Sequence, residues 1–298
     1  MSTPSGPYNM AEVDAFQSAA GKKPAVVMFS QDWAHARFRA DLLDSIADRP
    51  GPPTLPLITW EPRDHKVAGS APDAPATEQP AYSLARILDG SFDAYIREWA
   101  EGLRDWGRPV GLRFAQQMNG NWFPWSEGVN GNEPGQYVAA WRHLREIFDS
   151  VGTTNVLWVW SPNVSYTGSA PLAPLYPGDS YVDWIGIDGY NGGTALGWGG
   201  WLGPEELFAP TIREIRAFTS KPLVLTEVAS TEVGGSKAQW INDLFHAMLP
   251  RHPEVLGFVW VEAEREADWR IVSSETAAAA FAAGVADPGF VDAPTLPR

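Results

Sequence analysis

The sequence predicts an α/β fold, a (β/α)8 TIM barrel whose first strand is short or truncated. Short apolar runs alternate with amphipathic helical segments along the chain. Each run lacks the alternation of a half-exposed strand, as expected of parallel strands covered on both faces. Polar and aromatic residues gather directly after these runs, at the strand ends where parallel α/β proteins build their sites. A doubly wound open sheet is the competing arrangement, weakened because no glycine-rich phosphate loop follows an early strand. A chain of 298 residues fits one barrel domain over 1–298.

Met10 to Ala20 has the spacing of a short helix, with Val13 and Phe16 on one face and Gly21-Lys-Lys-Pro24 as its stop. Ala25 to Phe29 is a buried strand running into Gln31, Asp32 and Trp33. A helix around Phe38 to Ile46 and the turn cluster Pro50-Gly-Pro-Pro53 lead to a strand over Leu55 to Thr59, which ends in Trp60-Glu61-Pro62. Residues 63–82, rich in Ala, Pro and polar side chains, read as a long loop. Phe92, Tyr95, Ile96, Trp99, Leu103 and Trp106 recur with helical spacing, and Ser91 is better placed than Asp89 to cap that helix. The strand Val110 to Phe114, the helix Gln136 to Asp149 and the strand Asn155 to Trp160 follow. A Pro/Tyr/Gly-rich loop over 164–180 precedes the strand Val182 to Ile187, which ends in Asp188-Gly-Tyr-Asn191. After a Gly/Trp loop over 192–203 come a helix over 204–219, the strand that carries Glu227, a helix over 237–249, a strand over 255–261 and a closing helix over 275–284. That makes seven strands; the missing barrel position falls to Met1 to Asn9.

Composition narrows the partners. The net charge of −14 argues against nucleic acid and against an anionic membrane surface, and no apolar run is long enough to span a bilayer. A neutral ligand suits this charge, and a monomer is expected. The opening Met1-Ser-Thr-Pro-Ser-Gly-Pro lacks the basic and apolar regions of a signal peptide. Secretion of the native protein is nevertheless expected, with a cytoplasmic location left open. With no Cys, thiol chemistry is excluded. The five His (35, 65, 143, 246 and 252) show no ligand spacing, so no metal and no cofactor is expected. There is no G-x-S-x-G elbow for a serine hydrolase.

The chemistry concentrates in Gly111-Leu-Arg-Phe-Ala-Gln-Gln-Met-Asn-Gly-Asn-Trp-Phe-Pro-Trp125 and in Pro222-Leu-Val-Leu-Thr-Glu-Val-Ala-Ser230. Both pass from a buried strand into polar residues. The strand ends also bring Asp32, Glu61, Gln116, Gln117, Asn163, Asp188, Tyr190, Glu227 and Glu262 together with Trp33, Trp60, Trp122, Trp125, Trp160 and Trp260. A cup of carboxylates, amides and indoles with few cations fits a polyhydroxylated ligand: amides and carboxylates bond the hydroxyls, and indoles stack on sugar rings. Fifteen Trp is a high number for a residue whose N–H needs a partner when buried. Cleaving a glycosidic bond requires an acid at the leaving oxygen and a nucleophile or base opposite. Glu227 suits the second role.

These residues carry a resemblance to glycoside hydrolase family 26, the β-mannanase and β-1,3-1,4-glucanase family of retaining (β/α)8 enzymes. It spans about residues 10–285. Arg113, Gln116, Gln117, Met118, Asn119, Gly120, Trp122 and Trp125 stand against the family's Arg-x-x-His-Glu-Met-Asn-Gly-x-Trp-x-x-Trp. Lys221, Pro222 and Glu227 match its nucleophile strand, Asp188 to Asn191 its Asp-Gly-Tyr-Asn segment, and Trp260 its last-strand Trp. The resemblance implies an endo-acting hydrolase of a β-linked oligo- or polysaccharide, a β-1,4-mannan or a β-1,3-1,4-glucan. Glu227 would be the nucleophile and position 117 the acid/base, about 5–5.5 Å apart. It further implies that Tyr190 bonds Glu227 and Arg113 neutralises charge beside it. Trp260 would lie under the sugar, and Trp122 and Trp125 would shape the leaving-group side. Gln116, Trp60, Asp32 and Asp188 complete the expected substrate contacts.

Two positions depart from the family pattern. Gln116 replaces a His, and Gln117 replaces the acid/base Glu. Gln is nearly isosteric with Glu but has no proton to give, and losing general acid–base help costs on the order of 10²–10⁴ in rate. The chain therefore reads as an acid/base Glu→Gln variant with little activity. The alternatives are a natural carbohydrate-binding pseudoenzyme, or an enzyme that recruits Glu61 or Glu127 as its acid.

Overall fold

The computed structural model of the protein describes residues 1–67, 77–291 and 293. The helix α1 (Met10–Ala20) is capped by the Asn9 side chain and ends at Gly21. Strand β1 (Val26–Asp32), helix α2 (Ala40–Ala47) and strand β2 (Leu55–Glu61) follow. A short helix α3 (Leu84–Leu88), not foreseen in the sequence, precedes α4 (Asp93–Trp106) and β3 (Val110–Phe114). Ser91 does not cap α4: its N–H and hydroxyl both go to the Asp89 carboxylate, and the cap position is Phe92, without a side-chain bond. Next come α5 (Gln136–Ser150), β4 (Val156–Trp160), β5 (Trp184–Asn191), α6 (Pro204–Arg216) and β6 (Leu223–Ser230). The helix expected over 237–249 is α7 (Lys237–Asp243), a π-helical segment over Leu244–Met248, and α8 (Leu249–Arg251). Strand β7 (Val255–Trp260) and helix α9 (Glu275–Val285) close the order. Part of the loop expected over 63–82 lies outside the described residues.

The seven strands form one parallel sheet in sequence order, β1 to β7. The sheet curls until its two edges meet across the chain start. Ser2 bridges Met28 on one side and Val261 on the other. Its N–H donates to the Trp260 carbonyl, its carbonyl accepts from Glu262, and the Met1 carbonyl accepts from Met28. Two residues thus occupy the place of a strand too short to read as an apolar run.

Alternation along the strands separates two cores. Met28, Leu55, Leu57, Leu157, Val159, Trp184, Val224 and Val259 pack together as one buried cluster inside the curled sheet. Val27, Phe29, Ile58, Trp60, Phe114, Trp158, Trp160 and Trp260 face the other way and pack under the helices. Gly111 is needed on the inner face, because a Cβ there would stand 2.6 Å from Leu57 Cδ1.

Candidate active site

At the C-terminal ends of the strands lies a cleft of about 800 Å³, whose walls include Gln116, Gln117, Trp122, Tyr190, Glu227 and Asp32. Glu227 reaches it through a β-bulge. Ile187 pairs with Leu225, but Asp188 pairs with Glu227, so Thr226 is extra in β6. The β6–β7 register slips at the same place. A bulge re-aims side chains. Here both Thr226 and Glu227 turn toward the site, and β6 continues to Ser230 rather than ending at Glu227.

Beneath the cleft floor lies a closed polar network. Asp188 Oδ1 accepts from Thr226 Oγ1 at 2.6 Å and from Ser161 Oγ at 3.1 Å. Asp188 Oδ2 accepts from Arg113 and, at 2.9 Å, from Gln117 Nε2. The same Arg113 nitrogen donates to Glu227 Oε1 at 2.6 Å, and the Tyr190 hydroxyl donates to Glu227 Oε2. Gly186 makes room for this packing: a Cβ there would stand 2.5 Å from both the Ser161 and Thr226 hydroxyl oxygens.

Burial sets the electrostatics. It pushes the Asp188 carboxyl up to about 7, opposed by Arg113 and reinforced by the Glu227 charge. Burial also opposes the Arg113 charge, but Asp188 and Glu227 outweigh it and hold the guanidinium protonated. Burial and the neighbouring Glu227 hold the Tyr190 hydroxyl in its neutral, donating form. Glu227 therefore has one oxygen on a cation and the other on a phenol, which fixes its plane.

Gln117 follows β3 on a strained backbone. Ala115 and Gln117 have φ of 48° and 56°, left-handed values that cost a non-glycine residue about 1–3 kcal/mol. The surroundings hold them there. The Ala115 N–H goes to the Trp60 carbonyl at 3.1 Å and the Gln117 N–H to Ser161 at 2.7 Å. The side chain is saturated as well: Nε2 donates to Asp188 and, at 3.3 Å, to Glu227 Oε2, while Oε1 accepts from Trp122 Nε1 at 2.9 Å. The Met-Asn-Gly motif explains that last bond. Met118 is core, Asn119 bonds the Asn163 backbone through both ends of its amide, and the Trp122 indole folds over Gly120, where a Cβ would meet the ring at 2.5 Å.

Not every expected site residue faces the cleft. Trp260 is buried against Trp240 and Phe281, with its N–H on the Trp269 carbonyl. It does not line the cleft and is no platform for a sugar there. Trp60 is likewise core, packed against Trp33, Tyr95 and Trp99. Trp125 is fully buried, its N–H on the Gln116 carbonyl and its ring stacked on Phe123 at 4.4 Å. Arg113 and Asp188 are 0% exposed, so they support Glu227 and Gln117 from below and do not contact substrate. Trp122, 37% exposed, is the indole that does face the cleft, with Tyr166 beside it at 5.8 Å between ring centres. Gln116 donates to Glu61 at 2.7 Å, and Glu61 is paired with Arg63 at 2.8 Å. Glu127 accepts the N–H groups of Gly135 and Tyr137 at the start of α5. Neither glutamate is free as a replacement acid. The sequence reading missed Ser161, Thr226 and Arg63; the hydroxyl directly before Glu227 was the available signal for Thr226.

Comparison with known proteins finds similarity to one family. The profile of glycosyl hydrolase family 26 matches residues 72–201. Over 279 residues the chain is 34% identical to endoglucanase H of Acetivibrio thermocellus, covering 90% of this chain and 28% of that protein. It is 24% identical over 271 residues to a mannan endo-1,4-beta-mannosidase of Bacillus subtilis, covering 85% of this chain and 70% of the relative. The chain thus spans little more than a quarter of the endoglucanase. Among solved structures, a Cellulomonas fimi endo-beta-1,4-mannanase double mutant has the same fold, with a TM-score of 0.69, 22% identity, and coverage of 97% of this chain and 69% of that one. These matches support family 26 of the glycoside hydrolases and an α/β barrel fold. Among the described residues, no helix is long and apolar enough to cross a membrane.

Proposed function

We propose that the chain is a family 26 retaining endo-β-glycoside hydrolase on a (β/α)8 barrel, a single catalytic domain whose first strand is Met1–Ser2. In this reading its acid/base position holds Gln117. The observation that carries it is the contact of Gln117 Nε2 with Glu227 Oε2 at 3.3 Å. This nearest-atom contact is shorter than the spacing of about 5–5.5 Å typical of a double-displacement pair, and it argues against an inverting pair, which sits about 6.5–9.5 Å apart. A Glu227 oxygen attacks the anomeric carbon, Tyr190 and Arg113 hold the carboxylate in plane, and the leaving oxygen departs toward position 117. With Gln there, no proton reaches that oxygen and no base activates the water that would release the sugar. The relatives' names support a β-1,4-mannan or a β-glucan as substrate. A polymeric substrate also supports an exported enzyme.

An activated substrate tests this reading. A dinitrophenyl β-oligosaccharide, in gluco or manno configuration, needs no proton on its leaving phenolate. The chain should release one equivalent of phenolate in a burst and keep the glycosyl group as an ester on Glu227, seen as a mass increase on the peptide carrying that residue. No burst and no adduct with either configuration, or an adduct on another carboxylate, sinks the proposal.

A further inference from the structure

We propose that Asp32, His35 and His65 form a site for a transition divalent cation such as Zn²⁺, at the end of the cleft where the turns after β1 and β2 meet. This inference shares only Asp32 with the glycosidase reading and does not depend on it. The sequence spacing of the histidines suggested no ligand set, because His35 and His65 lie on different loops. Strand pairing brings them together. Asp32 ends β1 opposite Glu61, the last residue of β2. His35 sits in the turn after one strand and His65 in the turn after the other.

One ligand atom from each of Asp32, His35 and His65 lies within 4.8 Å of the other two. The rings of His35 and His65 stand 5.3 Å apart. The two oxygens of Asp32 have separate tasks. Oδ1 accepts the His35 N–H at 2.8 Å and shapes the turn, while Oδ2 faces His65 Nδ1. Tetrahedral Zn²⁺ with bonds of about 2.0–2.2 Å places its donors roughly 3.3–3.5 Å apart. Asp32 Oδ2 and His65 Nδ1 already share a hydrogen bond and must part to admit the ion, while the wider spacings in the cluster close; the two partly exposed imidazoles can supply both movements.

The outer contacts fit as well. Asp64 Oδ1 stands 2.8 Å from His35 Nε2, giving that ring the carboxylate partner that metal-bound imidazoles ordinarily carry. Asp64 is itself held by the Lys66 N–H at 2.8 Å and by Gln79, whose Oε1 accepts the Asp64 N–H at 2.8 Å. Two nitrogens and one carboxylate oxygen suit Zn²⁺ and its neighbours rather than Mg²⁺ or Ca²⁺, which prefer all-oxygen shells. Three protein donors leave one position for water or for a hydroxyl of a molecule in the cleft. The bound ion would tie the two turns together at that end.

Calorimetric titration of ZnCl₂ into the full chain, stripped with EDTA and desalted, tests the site, with melting temperature as a second readout. The expected result is one ion per chain with a dissociation constant on the order of 10 μM or lower. Zn²⁺ should raise the melting temperature, and MgCl₂ should not. His35→Ala and His65→Ala should each weaken binding by about tenfold or more, while His246→Ala, on the distant π-helical segment, binds as the parent does. No saturable binding, or binding undiminished in either cleft-histidine variant, overturns the proposal.

Discussion

Gln117 and Glu227 are in direct contact, with Gln117 Nε2 3.3 Å from Glu227 Oε2 and 2.9 Å from Asp188 Oδ2. The amide nitrogen is a donor between two carboxylates. A carboxyl group in the same place would face both of them and would be driven to keep its proton. The Gln117→Glu variant should therefore carry an acid whose pKa lies well above the ordinary Glu value of about 4.3. The pH profile of kcat/KM checks this, with an alkaline limb well above that value. A limb at or below it means that the geometry does not hold the acid protonated.

Arg113 is the cation shared by Asp188 and Glu227, and it is completely buried. Arg113→Met removes it and leaves two carboxylates close together without their cation. Breaking a buried pair in this way costs about 3–5 kcal/mol. Denaturant unfolding should show a loss of that order. A loss below about 1 kcal/mol would mean that the network relaxes or admits water.

Trp122 depends on Gly120. Because a Cβ at position 120 would stand 2.5 Å from the indole, Gly120→Ala should displace the ring and break its bond to Gln117. Binding of β-linked oligosaccharides should weaken by at least the net value of that hydrogen bond, about 0.5–1.5 kcal/mol, with the circular dichroism spectrum unchanged. Unaltered affinity would remove Trp122 from the binding surface.

Glu262 adds a pH term to stability. Burial pushes its carboxyl up to about 7, against the Ile271 N–H that it accepts. A folded-state pKa above the unfolded one favours the folded form at low pH. The contribution is full below about 4.5 and is lost as pH rises through 7. Asp188, also raised by burial, acts in the same direction. The buried Met1 amino group, lowered to about 5, acts in the opposite direction, so the check is differential: between pH 4.5 and 7 the melting temperature of the parent should fall relative to that of Glu262→Gln. An identical slope in the variant would contradict the assignment.

The strand and helix order was legible because apolar runs and helical spacing need no tertiary information. The exceptions are local. Met1–Ser2 pairs with both sheet edges through too few residues to leave a pattern. Period-two alternation, counted from Leu57 and Thr59 on the inner face, would have turned Trp60 toward the helices, and counting from Val259 would have done the same for Trp260. Glu227 was legible as a carboxylate from its place in a buried run, but the bulge that aims it depends on register with β5 and β7. Asp32, His35 and His65 show the remaining limit. They meet through strand pairing, which sequence spacing does not encode.

The central claim is that position 117 is the acid/base of a working site whose other parts are intact. Its most direct test compares hydrolysis of barley β-glucan and of glucomannan by this chain and by Gln117→Glu. The account predicts almost no turnover by the chain and a gain on the order of 10²–10⁴ in the variant, with the polymer cleaved naming the substrate. Equal activity in the two proteins, or none in the variant although it binds the polymer, would contradict it.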